Sequence, residues 1–436
     1  MNKNGSVIIG GGVTGLAAGY VSNLPIYEAE EVPGGICSSY YLKAGETEPR
    51  FRNTEDNEAY RFEIGGGHWI FGGDPAVLHF IKSLTPVKSY KRSSAVYFPD
   101  ENLYVPYPLQ NNLAYLGKDI AKRAIREIEN SPKRIPKTME EWLELSFGKT
   151  LLKKFFAPFH DLYTAGLWTK IAPQDAYKSP INMNAVVNGA SNQNPPEVGY
   201  NVTYLYPEEG LNTLASKMSD KCTINYGKRV VEIDLVKREV NFDDGKGIKY
   251  NNIISTLPLN KAVKAASLKL DPYPDDFTSV LVLNIGAKKG NNCPPHHWLY
   301  IPSSKSGFHR VGFYSNVDNT FLPLSSREDN NRVSIYIEKA FQNGKKPSVK
   351  EIKDYSKSVI DEIKEWGFIS EAETIHPTWI DVAYTWAKPG SIWKDTALKE
   401  LEKNDIFQIG RYGRWSFQGI AESIRDGFYS GSSFIE

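Results

Sequence analysis

The residues in this sequence best suited to chemistry are three short glycine clusters and the polar side chains they carry. Gly10-Gly11-Gly12-Val13-Thr14-Gly15 has the spacing GxGxxG and follows directly on Ser6-Val7-Ile8-Ile9, a β-branched run that reads as a buried parallel strand. Gly10 permits a tight turn, Gly12 lets backbone approach a pyrophosphate, and Gly15 lets a helix over 13–22 pack on the sheet with its positive end at the phosphates. A second strand, Leu24–Tyr27, ends in Glu28, where an acidic side chain takes the ribose hydroxyls of an adenine dinucleotide. Gly34-Gly35 begin six residues past Glu28. Further on, Gly65-Gly66-Gly67 precede His68; such a backbone lies flat against a ring or moves between conformations, and it carries an imidazole at its tip.

Positioning these groups requires more than one structural unit. At 436 residues the chain exceeds the size at which a single core stops growing, so two or three units are expected. Lys plus Arg (52) nearly cancel Asp plus Glu (51), which argues against nucleic acid or an anionic bilayer as partner and leaves any anion to a local site. The apolar run Val7–Ile9 is too short to span a membrane and has no cleavage pattern after it, so a cytoplasmic protein is expected. Cys37, Cys222 and Cys293 are scattered with no CxxC pair, which argues for reduced thiols and against a structural or catalytic metal.

Along the chain, Ser93–Phe98 and Leu103–Tyr107 flank Pro99-Asp100-Glu101-Asn102 as a β-hairpin. Apolar residues at threes and fours predict helices over Leu113–Ile128, Met139–Leu145 and Leu151–Leu162, a helical insertion, and the Asn-, Gly- and Pro-rich stretch 189–200 reads as a linker. Val202–Tyr206 leads through a turn into a helix. Val230–Leu235, Glu239–Phe242 and Ile253–Ser255 read as strands of a returning dinucleotide domain, and 278–286, 297–301, 309–315 and 331–338 as a second sheet followed by a helix near 349–366. Ile406–Arg411 and a helix from about 420 close the chain. The expected fold is α/β (α+β): a Rossmann-type domain from 1–86, 203–275 and 376–436, a helical insertion over 111–190, and a largely antiparallel sheet domain from 87–110, 191–202 and 276–375.

Gly34-Gly35 resembles the extra glycine signature of FAD-binding two-dinucleotide-domain flavoproteins. Several further segments together resemble the UDP-galactopyranose mutases, especially their eukaryotic-type branch, from about residue 6 to 430. Gly66-Gly67-His68 is similar to that family's mobile loop over the isoalloxazine. Val105-Pro106-Tyr107-Pro108-Leu109-Gln110-Asn111-Asn112 is similar to its substrate-pocket motif, in which the tyrosine and glutamine contact the nucleotide. Trp298-Leu299-Tyr300 with Arg310 and Phe313-Tyr314-Ser315-Asn316 resembles the segment whose tyrosine and arginine grip the diphosphate; Asn201 and Tyr384 match further substrate contacts. Gly410-Arg411-Tyr412-Gly413-Arg414-Trp415 resembles the flavin-contacting C-terminal sequence.

The resemblance implies FAD as cofactor, active when reduced, with NAD(P)H as reductant, held by Gly10, Gly12, Gly15, Glu28, Gly34, Gly35, Gly67, Val230 and Arg411. It implies a nucleotide-sugar substrate bound by Tyr107, Gln110, Asn201, Tyr300, Arg310 and Tyr384, with His68 and Arg310 at the reaction. The reaction is the interconversion of pyranose and furanose rings without net redox change, a step of polysaccharide biosynthesis; self-association is left open. Converging phenols and a guanidinium suit a diphosphate, and no Ser-His-Asp set or carboxylate pair suggests another chemistry. The family's second diphosphate arginine is absent from Ile171–Pro180, where Lys178 is the available cation; Val317 and Phe417 replace tyrosines. An oxidase or desaturase of the amine-oxidase or protoporphyrinogen-oxidase type shares the same glycine signatures and is the alternative, ahead of a non-catalytic binding module. Arg310 is expected to serve the ligand rather than the fold, so that its removal leaves stability nearly unchanged.

Overall fold

The structure, a computed structural model, describes residues 5–174, 182–191 and 202–434. The fully buried strand Ser6–Ile9 is the centre of a five-stranded parallel sheet with the order Ile224–Asn225, Ile26–Tyr27, Ser6–Ile9, Asn252–Ser255, Ile406–Gln408. The helix Val13–Ser22 leaves this strand through the glycine turn and packs against the C-terminal helix Ile420–Ser432. Their approach is backbone to backbone: a methyl at Gly427 would fall 2.2 Å from the Thr14 carbonyl oxygen, and one at Gly431 2.4 Å from that of Ala18.

Val230–Asp234 and Glu239–Phe242 do not join the parallel sheet. They pair antiparallel with each other, and Glu239–Phe242 pairs with Gly247–Lys249, in a separate three-stranded sheet. The reason is their pattern: Ile233, Val240 and Phe242 are buried while Val231 and Glu232 are exposed, as in an antiparallel sheet wetted on one face, whereas central parallel strands need both faces apolar. Thr203–Pro207 likewise belongs to a small sheet with Ile70–Phe71 and Val87–Lys91.

The second large sheet has seven strands in the order Ile369–Thr385, Phe277–Lys289, Arg332–Gln342, Arg310–Phe313, Trp298–Tyr300, Ser94–Phe98, Leu103–Pro106, antiparallel except where Trp298–Tyr300 meets Ser94–Phe98. Alternation divides its residues. Leu281, Leu283, Ile335 and Ile337 pack under the helix Val349–Glu365, while Val280, Val282 and Tyr336 face the core shared with Tyr60 and Phe62. Ile369–Thr385 is a strand the polar, proline-containing sequence did not suggest; it lies at the sheet edge, where Pro377 is tolerated, and runs unbroken through residue 376.

In the helical insertion, Leu113–Leu116 forms a 3-10 turn that Gly117, at φ 89°, separates from the helix Lys118–Glu129. Met139–Leu151 continues into a π-helical turn, Leu152–Phe156, and then Ala157–Tyr163. No helix among the described residues is long and apolar enough to cross a membrane.

The register of the seven-stranded sheet places Tyr300 opposite Arg310, and Arg310 opposite Glu338. Next along the same strands, Gly312 pairs with Tyr336, and a methyl at Gly312 would sit 1.9 Å from Tyr336 Cζ. Tyr336 is fully buried and its ring meets Tyr314 at 4.7 Å, so it has nowhere to yield. Gly312→Ala is therefore expected to destabilise the protein by about 1–3 kcal/mol through overpacking; an unchanged urea midpoint would contradict this packing.

Candidate active site

A cavity of about 450 Å³ lies where the parallel sheet, the seven-stranded sheet and the helical insertion meet. Its first end is made of backbone. Gly10 (φ 97°) and Gly34 (φ 107°) adopt conformations that disfavour side chains, and Gly34 N–H donates to the Gly11 carbonyl at 2.8 Å, pinning the second glycine pair to the first turn. A methyl at Gly12 would meet nothing closer than the Gly34 carbonyl at 4.0 Å, so its absence leaves open space, whereas one at Gly15 would fall 1.9 Å from the Gly10 carbonyl. Gly12 is the N-cap of Val13–Ser22, with no side-chain cap and no acid in the first turn, so the helix dipole and free N–H groups face the cavity. Glu28 lines the same end, buried, accepting from the N–H groups of Gly11 and, at 2.9 Å, Glu30; burial raises its pKa. A cradle without side chains, an uncapped helix start and a carboxylate at the second strand fit the diphosphate and ribose of an adenine dinucleotide. Gly15 acts in helix packing and does not line the cavity; Val230 packs beside Tyr27 and Phe242, also away from it.

The middle of the cavity is the glycine loop. It is held from outside: Ile64 N–H donates to the Ser38 carbonyl at 3.0 Å and the Thr378 hydroxyl to the Ile64 carbonyl at 2.7 Å. At its root Glu63 accepts from Ser39 Oγ at 2.7 Å and from the Tyr206 hydroxyl, and burial pushes its carboxyl up to about 7. Gly66 (φ 77°) rests against Glu338, where a methyl would lie 3.1 Å from Oε1, and a methyl at Gly67 would lie 2.1 Å from the Tyr336 hydroxyl oxygen. His68 lines the cavity with its ring folded over Gly65. Burial, with the Arg411 cation next, pushes its imidazole down to about 4, so His68 is neutral at ordinary pH. It offers hydrogen bonds rather than charge. Cys37 also lines the cavity, its thiol pushed up to about 12 by burial and therefore protonated.

The far wall brings together Tyr107, Tyr300, Arg310, Tyr384 and Arg411. Arg310 Cζ lies 5.7 Å from the Tyr300 ring centre, Tyr300 packs on Tyr107 at 4.6 Å, and burial raises the pKa of Tyr384, which keeps its phenol a donor. Arg411 lies over the Phe417 ring at 4.5 Å and donates to the Ala383 and Gln418 carbonyls at 3.1 and 3.2 Å. Phe417 thus carries the arginine on its face where a tyrosine was expected, and Val317 is buried in the core. Gln110 is not on this wall: it is buried in the turn Leu109–Asn111, with Nε2 lacking a hydrogen-bond partner. Asn201 and Lys178 lie outside the described residues.

Sequence reading missed Glu338, the counter-charge of this wall. Its carboxylate oxygens lie 3.2 and 3.3 Å from Arg310 Nη1. Burial, the largest single influence, would raise its pKa, but the neighbouring groups, led by the adjacent Arg310, together outweigh this and the carboxyl stays below its usual value. His309 Nε2, 3.5 Å from Glu338, is beyond ordinary hydrogen-bond reach and burial keeps it neutral, so Arg310 is the partner that matters. The signal was present: Glu338 is a lone acid at an alternating position of the apolar run Val333–Ile337. Also missed was a chamber lined by Trp142, Leu143, Phe155, Phe156, Phe159 and His160, which the helical periodicity marked only as core.

A family model described as flavin containing amine oxidoreductase matches residues 15–283, more than half of the chain. The chain belongs to that family. It is an FAD flavoprotein of mixed α/β architecture. Among solved structures it is similar to reduced UDP-galactopyranose mutase, with a TM-score of 0.79 and 22% identity over 98% of this chain and 94% of that one. It is also similar to a CLA-producing fatty acid isomerase from P. acnes (TM-score 0.61, 15% identity, 99% and 98% covered) and to a putrescine oxidase double mutant (TM-score 0.58, 12% identity, 98% of both). At these identities the likeness establishes the fold alone, and a fold does not fix a reaction.

The expectation that Arg310 can be removed at little loss of stability is overturned by Glu338. Arg310→Ala leaves a carboxylate that is 5% exposed without its counter-charge, and should destabilise the protein by about 3–5 kcal/mol. Arg310→Met combined with Glu338→Leu removes both charges and should recover most of that loss in chemical denaturation; equal stability of Arg310→Ala and wild type would show that the pair is not coupled.

Proposed function

We propose that this protein is a flavin-dependent mutase that interconverts the pyranose and furanose forms of a nucleotide-linked sugar without net redox change, with NAD(P)H keeping the flavin reduced. The observation that carries the reading is the convergence of Tyr300, Arg310 and Tyr384 on one wall of the cavity that begins at the glycine cradle. Two phenols and a guanidinium are the donors a diphosphate needs, and a flavoenzyme of apolar or amine substrates has no use for them. The similarity to UDP-galactopyranose mutase, at a TM-score of 0.79, supports the same reading.

The glycine cradle would hold FAD, which when bound and reduced would supply a nucleophile toward the anomeric carbon in exchange for the nucleotide diphosphate, with the diphosphate rejoining that carbon at the end and no net redox change. The chain's own residues hold the other partner. Arg310, charged and braced by Glu338, binds the departing diphosphate and keeps it within reach for the return step. Tyr384 donates its phenolic hydrogen to the same group, and Arg411, fixed on the faces of Tyr384, Tyr412 and Phe417, adds positive charge beside the glycine loop. His68, neutral, caps the flavin side without competing for the phosphate's charge. Glu338 tempers the wall, so that one guanidinium does not bind the leaving group too tightly to release it.

One observation favours a second reading. The chamber lined by Trp142, Phe155, Phe156 and Phe159 would also suit an apolar substrate of a flavin oxidase or desaturase. The redox requirement separates the two. Dithionite-reduced protein is expected to convert a nucleotide sugar between ring forms under anaerobic conditions, while oxidised protein is inert, as read by chromatography of the sugar nucleotides. Turnover by oxidised protein with stoichiometric hydrogen peroxide would replace the mutase with the oxidase.

A further inference from the structure

Glu63 is an ionisable group that neither the glycine cradle nor the phosphate-type wall uses. It ends the strand Tyr60–Glu63, directly opposite Ser39, and the glycine loop begins at the next residue but one. The residue is 0% exposed. Two hydroxyls, Ser39 Oγ at 2.7 Å and that of Tyr206, both donate to Oε1, while Oε2 has no hydrogen-bond partner. Asn284 Nδ2 donates to its backbone carbonyl at 2.9 Å, which fixes the carboxyl at the root of the loop. The groups that face it come from several elements: Cys37, Tyr40 and Tyr41 from the segment that forms the strand Ser39–Leu42, Tyr206 from Thr203–Pro207, Tyr314, and Arg61 from its own strand. Burial raises the pKa of the thiol and of each phenol, so these groups are neutral. Arg61, the one cation among them, turns Nη1 to the Glu208 carbonyl at 3.1 Å and Nη2 to the Thr320 hydroxyl at 2.9 Å. An ionised Glu63 is therefore a buried charge with no ion-pair partner among the described residues, and burial pushes its pKa up to about 7.

Cys37, which feels the charge of Glu63, lines the cavity together with the glycine cradle. A charge gained by a flavin in that cavity and the charge on Glu63 thus share one dry region. Two-electron reduction with a single proton adds one negative charge to an isoalloxazine, and like charges in a dry interior raise each other's affinity for protons. We propose that Glu63 takes up a proton from water when the bound flavin is reduced and releases it on reoxidation. A hydride donor such as NAD(P)H brings both electrons and the first proton; the second proton forms an O–H bond on Glu63, so the flavin gains one negative charge, the carboxylate loses one, and the charge of the site is unchanged. This coupling requires only a bound flavin and holds whether the reaction is that of a mutase or an oxidase.

The test is spectroelectrochemistry of the holoprotein as a function of pH. A two-electron couple that takes one proton changes tenfold in equilibrium constant per pH unit, about 30 mV, and one that takes two changes a hundredfold, about 60 mV. Above about pH 7 oxidised wild type has an ionised Glu63, so its midpoint potential should fall at the steeper rate, and that of Glu63→Gln, which cannot ionise, at the shallower one. Tyr206→Phe keeps Glu63 but removes a donor that favours the ionised carboxyl, so the steep region should begin at higher pH. Reduced-minus-oxidised infrared spectra of wild type, which need no variant, should gain a protonated-carboxyl band in the same pH range. A shallow wild-type line overturns the assignment, as does a steep line kept by Glu63→Gln, which would put the second proton on the flavin itself. So does an onset unmoved in Tyr206→Phe, or a wild-type infrared difference without the carboxyl band.

Discussion

The buried pair of Arg310 and Glu338 is the interaction on which the rest of the site depends. It exists because two antiparallel strands hold these residues directly opposite each other, with Tyr300 next in the same row. Side chains alternate faces along a strand, so a slip of one residue would send all three to the side covered by Val349–Glu365. The long pairing between Phe277–Lys289 and Arg332–Gln342 guards against that slip, since every apolar residue of both strands would change faces with it.

The pair also fixes the glycine loop. Gly66 touches Glu338 and Gly67 lies under Tyr336, so the loop lies on the charged row with backbone alone. Thr378, from the edge strand, ties Ile64 from behind. Val282, between the edge strand and Glu338 in register, packs against Gly66 as well. His68 is thereby delivered between the cofactor cradle and Arg310, in surroundings dry enough to keep it neutral. The parallel sheet and the inner face of the seven-stranded sheet share one core, and the cavity lies beside this contact.

The glycine cradle was legible in the sequence because it is built from local backbone. Gly10, Gly12, Gly15, Glu28 and the helix over 13–22 occupy the places their spacing demands, for the spacing is imposed by a strand, a turn and a helix close together in the chain. Tyr107, Tyr300, Arg310 and Tyr384 do meet, yet only a resemblance suggested it, since they come from strands far apart in sequence. Glu338 escaped because its meaning is relational: an acid in an apolar strand becomes informative once Arg310 is opposite. The strand Ile369–Thr385 escaped because an edge strand relaxes the rules by which strands are recognised, tolerating Pro377 and polar residues. Val230–Asp234 and Glu239–Phe242 were legible as strands, but their antiparallel partners were not, because short β-branched runs do not reveal which sheet they join.

The central claim is that the row of Tyr300, Arg310 and Glu338 faces a diphosphate. The most direct measurement is an anaerobic titration of the oxidised holoprotein, following the flavin absorbance band, with UDP-galactose in one series and putrescine in the other, at low and high salt. The account predicts a saturable spectral shift with the nucleotide sugar that weakens as salt rises, and no change with the diamine. Bleaching of the flavin by the amine, with no response to the nucleotide sugar at any salt, would contradict it.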